Sequence, residues 1–83
     1  MAGTPKLDDA TVKLLQDYAA AAAARLGLQV AVSARDGKRD VEVQIIRQWG
    51  GEEISFSYAH PYSSHVDAAR FIDRMLGRVS RDP

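Results

Sequence analysis

Between Ile54 and Ala59 the chain alternates apolar and small polar side chains without a break, as Ile54-Ser55-Phe56-Ser57-Tyr58-Ala59. Alternation with a period of two is the mark of a strand buried on one face. Ile54, Phe56 and Tyr58 point to the core, and Ser55 and Ser57 point away. The rest of the chain has to supply partner strands and a covering layer for that face.

Two further runs have the same period. In Leu28–Ala34, Leu28, Val30, Val32 and Ala34 share one face, while Gln29, Ala31 and Ser33 share the other. In Val41–Trp49, Val41, Val43 and Ile45 face the core, while Glu42, Gln44, Ile46 and Gln48 face away. Asp36-Gly37 is a strong hairpin signal between these runs, and Gly50-Gly51 turns the chain into the third strand. The three strands therefore form an antiparallel meander in the order 1-2-3.

Helical patterns flank the meander. Asp8 is placed to cap a first helix over 9–26, with Leu7 and Val12 as a hydrophobic staple and Gly27 just past its end. Its predicted apolar stripe is Val12, Leu15, Ala19, Ala22 and Leu26, flanked by Leu14 and Tyr18. Asp9 and Lys13 are spaced for an i,i+4 ion pair. The run Ala19–Ala24 fits high helix propensity, and it also fits close approach of a neighbouring element. After a predicted loop over Ala59–Ser64, Ser64 and Asp67 are spaced as a capping pair for a second helix over 65–79. Its predicted stripe is Val66, Ala69, Ile72, Leu76 and Val79, widened by Phe71 and Met75, with Gly77 a candidate early stop.

The order α-β-β-β-α predicts an α+β two-layer sandwich with both helices on one face of the sheet. The 83 residues allow a single domain, read as 7–79, with flexible tails at 1–6 and 80–83. There is no cysteine, which excludes disulfides, thiolate metal sites and thiol nucleophiles, and points to the cytoplasm. The N-terminal residues contain no apolar signal-peptide core, and no apolar run reaches the ~20 residues of a membrane span. Eleven basic and eleven acidic residues balance, so there is no global attraction to nucleic acid or anionic lipid. Ten alanines between Ala2 and Ala34, and arginine in preference to lysine, suggest a GC-rich bacterial or phage coding sequence.

Two helices on one side leave the other sheet face bare. That face carries Gln29, Ala31, Ser33, Glu42, Gln44, Ile46, Gln48, Ser55 and Ser57, of which only Glu42 is charged. Interface centres are depleted in charge, so Gln44, Ile46, Gln48, Ser55 and Ser57 are the predicted partner-binding residues. Trp49 and Tyr62 join them as candidate aromatic anchors. The third strand is also an exposed edge, open to pairing with another chain.

The stretch His60-Pro61-Tyr62-Ser63-Ser64-His65-Val66-Asp67 holds both histidines. It lacks a G-x-S-x-G elbow, its histidine spacing matches no common zinc site, and capping accounts for Ser64 and Asp67. No catalytic residue, cofactor or metal is expected. Arg70, Arg74 and Arg78 repeat at four-residue steps; with Arg35, Lys38 and Arg39 of the first hairpin they form the alternative, nucleic-acid-binding set. Asp67 and Asp73 are expected to lie beside those arginines.

The element order resembles that of double-stranded RNA-binding domains and of HicA-type toxin ribonucleases. The former carry a lysine-rich start to the second helix, where this chain has His65, Val66 and Ala69. The latter place a catalytic histidine near the first two strands, and Ser33 to Val41 contains none. The leading expectation is a small non-enzymatic protein-binding module, of the inhibitor or regulator kind, that docks on a partner or dimerises through its bare face. Nucleic-acid binding comes second and a small ribonuclease third.

Overall fold

A computed structural model of the chain describes residues 6–81. Helix α1 (Asp9–Leu26) is followed by β1 (Gln29–Arg35), β2 (Asp40–Trp49), β3 (Glu52–Pro61) and helix α2 (His65–Arg81). The strands form one antiparallel sheet in the order β1-β2-β3. The α+β order and the meander follow the alternation in the sequence. Of the expected tails 1–6 and 80–83, residues 1–5 and 82–83 lie outside the described residues.

The register has no bulge. Val32 is opposite Val43, and Val43 in turn is opposite Tyr58; Ile45 is opposite Phe56. Val41, Val43 and Ile45 are fully buried, whereas Gln44 and Gln48 on the reverse face are exposed. Among the described residues only one face of the sheet is therefore covered. Helix α1 lies along β1, α2 lies against β2 and β3, and the helices touch each other. Leu15, Ala19 and Ala23 of α1 complete the core with Ala68, Phe71, Ile72, Met75, Leu76 and Val79 of α2.

The ends of α1 are closed as the sequence predicts. Asp8 Oδ1 accepts the Thr11 N–H at 2.7 Å, and the Thr11 side chain, together with that N–H, draws the Asp8 carboxyl below its ordinary pKa. Gly27 takes the left-handed conformation at φ 70°. The Leu28 N–H then reaches Ala23 C=O and the Gly27 N–H reaches Ala24 C=O, a Schellman closure. Gly50 and Gly51, both at positive φ, make the two-residue β2–β3 turn.

Several local expectations shift. Strand β3 runs on through His60 and Pro61, which the turn signals assigned to a loop. The Tyr62 N–H donates to Arg39 C=O at 2.8 Å, so the backbone alternation turns the Pro61 nitrogen outward. Proline there forfeits no ladder bond. Helix α2 continues through Gly77 to Arg81, taking in Ser80 and Arg81. Val66 is exposed because three-residue steps drift about 60° each around a helix with 100° per residue. Leu26 is exposed because the chain folds back at Gly27 and Leu28 takes the core position. Ile54 and Trp49 sit on the helix side of the hairpin end and stay partly exposed. Lys13 faces Asp17 at 4.0 Å, not Asp9, which instead meets Lys38 at 3.6 Å.

Within the alanine run Ala19 and Ala23 are buried in the core, while Ala20, Ala21 and Ala24 are exposed. Ala19→Leu is expected to destabilise by about 1–3 kcal/mol through overpacking, and Ala20→Leu to stay within about 0.5 kcal/mol of wild type, in urea titrations. Asp8→Ala is expected to lower the melting temperature at pH 7. A carboxylate with depressed folded pKa contributes its stability above the unfolded pKa and loses it as pH falls through the folded pKa, so the difference should vanish in strong acid.

Candidate protein-interaction site

The bare face is built by side-chain parity. Gln29, Ala31 and Ser33 of β1, Glu42, Gln44, Ile46 and Gln48 of β2, and Ser55 and Ser57 of β3 lie on the side away from the helices. Arg35, Asp40 and Glu53 join them at the ends of the strands. Charge is thus confined to the rim and to Glu42, which pairs with Arg35 at 3.6 Å. Towards the middle, Gln44 Nε2 donates to Ser55 Oγ at 2.9 Å, and near the rim Gln48 Nε2 donates to Glu53 Oε2 at 3.2 Å. Ile46 is half-buried among these amides and hydroxyls.

Trp49 and Tyr62 do not belong to this face. Trp49 shares the parity of Val43 and Ile45, and the Arg47 guanidinium lies 4.6 Å over its ring. Arg47 Nη1 also donates to Val79 C=O at 2.8 Å, satisfying a carbonyl in the last turn of α2. Trp49 thereby covers the group that ties the β2–β3 hairpin to the helix. Tyr62 is half-buried against the core on the helix side. The sequence reading missed Arg47, since a cation on the core-facing parity gives no periodic signal.

The two edges of the sheet differ. The Tyr62–Arg39 bond fixes which backbone groups in β2 turn towards β3. Through the register, Val30 and Val32 of β1 turn their backbone groups away from β2. Gln16 Nε2, from α1, donates to that outward Val32 C=O at 2.9 Å. The β1 edge is thus dressed by a helix. In β3 the same alternation turns the N–H and C=O of Ser55, Ser57 and Ala59 outward. No element among the described residues lies over them, and no charged residue stands between Ile54 and Ala59.

The histidine stretch is knit to the core. His60 lies in β3 on the helix side, half-buried, and stacks on Phe71 with ring centroids 4.8 Å apart. Its Nε2 is 3.2 Å from Asp67 Oδ2, which also accepts from Ser63 Oγ at 3.1 Å. Ser64 Oγ accepts the Asp67 N–H at 3.1 Å and caps α2. The Ser63 hydroxyl points at the Asp67 carboxylate and not at the His60 imidazole. His65 is exposed at the start of α2. Among the described residues no pocket opens and no cluster of three or more metal-binding side chains occurs.

The arginines of α2 are exposed. Asp67 is engaged with His60 and Ser63, and Asp73 accepts from the Tyr18 hydroxyl at 2.5 Å, raising the Tyr18 pKa. The two carboxylates expected beside the arginines are therefore turned elsewhere. Arg70, Arg74 and Arg78 make no ion pair among the described residues. In the first hairpin, Arg35 and Lys38 are paired with Glu42 and Asp9. Among the described residues no helix is long and apolar enough to cross a membrane.

No protein-family model matches this chain, and no curated protein or solved structure does either. His60→Ala is expected to destabilise by about 1 kcal/mol, the scale of a lost ring pair, whereas His65→Ala should leave the melting curve unchanged.

Proposed function

We propose that this chain is a non-enzymatic protein-binding module that acts by docking on a larger protein, in the manner of an inhibitor or regulator. The observation that carries the reading is the union of an uncharged sheet-face centre with an undressed β3 edge beside it. Backbone groups on such an edge give affinity by strand addition, and the adjoining flat face gives specificity. A chain without cysteine fits a reducing compartment, and we place it in the cytoplasm.

Ile46→Arg puts a charge at the centre of the face without touching the core. Immobilised wild type is expected to retain a partner from a bacterial lysate that the folded variant does not. The purified partner should bind the variant at least about tenfold more weakly, as for a hot-spot residue. Equal binding by both proteins would contradict docking through this face.

A second reading is favoured by one observation, the exposed Arg70, Arg74 and Arg78 on α2, which make no ion pair among the described residues. It predicts binding to a duplex RNA or DNA probe that weakens steeply with added salt and is abolished when the three arginines are replaced by alanine. Binding insensitive to salt would remove it.

A further inference from the structure

We infer that the occupant of the β3 edge is a second copy of this chain, paired antiparallel about a two-fold axis at Ser57. This rests on the docking reading and names its first partner.

The backbone parity restricts the pairing. Only Ser55, Ser57 and Ala59 offer outward N–H and C=O groups in the uncharged part of β3. A two-fold axis that pairs these groups must therefore pass beside one of them, or beside Phe56 or Tyr58 between them. At Ser57 it pairs Ser57 with Ser57 of the second copy and Ser55 with Ala59, and it brings Glu53 opposite Pro61. Axes at Phe56 and Ser57 pair the longest stretches of the strand, and of these two the axis at Ser57 keeps the glutamates of the two copies farther apart. On the helix side it sets Phe56 across from Tyr58 and Ile54 across from His60. All three apolar side chains of this set are partly exposed in the single chain. As non-hydrogen-bonded pairs their side chains approach closely and become covered.

Charge complementarity along α2 supports the same partner. His60 stacks on Phe71 near the start of α2, and Arg47, opposite Ile54, reaches Val79 near its end. Helix α2 therefore runs antiparallel to β3. A two-fold axis at Ser57 lays the two α2 helices antiparallel on one side of the joined sheet. Asp67 and Arg78 lie within about 20° of each other around the helix, on the side of Phe71, by the 100° step of an α-helix. Each copy's Asp67 end then meets the other's Arg78 end. The product is a six-stranded sheet whose open face, with Ile46 of both copies, is doubled.

The chain has no native cysteine, so single-cysteine variants report the contact directly. Facing residues of a hydrogen-bonded antiparallel pair have Cα atoms about 5.5 Å apart, within disulfide range. Ser57→Cys is expected to oxidise to a covalent dimer at least tenfold faster than Ser33→Cys, on the opposite edge strand. Wild type should show twice the chain mass by light scattering, and folded Ser57→Lys, which sets two lysines against each other, should show the chain mass. A wild type that stays monomeric at millimolar concentration would overturn the inference, and so would a dimer whose Ser57→Cys variant oxidises no faster than the control. A monomer whose Ile46→Arg variant still loses its captured partner would leave docking standing while removing the two-fold; retention by that variant would remove docking itself.

Discussion

Two helices and three strands can cover one sheet face and one sheet edge, and the architecture follows from that limit. Helix α1 spends its length on β1, burying Leu15, Ala19 and Ala23 and capping an edge carbonyl through Gln16. Helix α2 closes the remaining core over β2 and β3 with Phe71, Ile72, Met75, Leu76 and Val79. Nothing among the described residues is left to dress the far face or the β3 edge. A chain this small buries only about 60% of its unfolded surface, so residual exposure is expected, but its location is decided by element order. The face and the edge adjoin because β3 is last in the meander and has no strand after it.

The elements that do cover the core are tied down at their ends. Asp8, Ser64 and the Schellman turn at Gly27 close three helix termini, and Arg47 reaches a carbonyl at the fourth. Lys38 carbonyl receives the Leu7 N–H and Arg39 carbonyl receives that of Tyr62. The first hairpin thus anchors the entries to both helices. Polar residues that look chemical in isolation, such as His60, Ser63 and Asp67, are used in this framing.

Strands, turns and the cap of α1 were legible because each depends on neighbours in sequence. Period-two runs gave the strands and the face each one buries, and glycine or aspartate at fixed offsets gave the turns. The bare face followed from the same parity, so Gln44, Ile46, Gln48, Ser55 and Ser57 stand together as read. What was not legible depends on contacts distant in sequence. The sides taken by Trp49 and Tyr62, and the destinations of Asp67 and Asp73, were fixed by Arg47, His60 and Tyr18 reaching across elements. The extension of β3 through Pro61 escaped because proline is harmless only where its nitrogen points outward, and only the pairing reveals that. Asymmetry of the two edges was likewise hidden, since Gln16 carries no pattern of its own.

The central claim is that β3 has an edge built to be paired. Residue-resolved amide hydrogen exchange, measured in dilute and in concentrated solution, tests it most directly. The account predicts that Phe56, Tyr58 and His60, bonded to β2, are protected at both concentrations. Ser55, Ser57 and Ala59 should exchange rapidly when dilute and become protected when concentrated. Rapid exchange of those three at every concentration would contradict pairing of the edge with a second copy, and strong protection of all three in the dilute monomer would contradict the open edge itself.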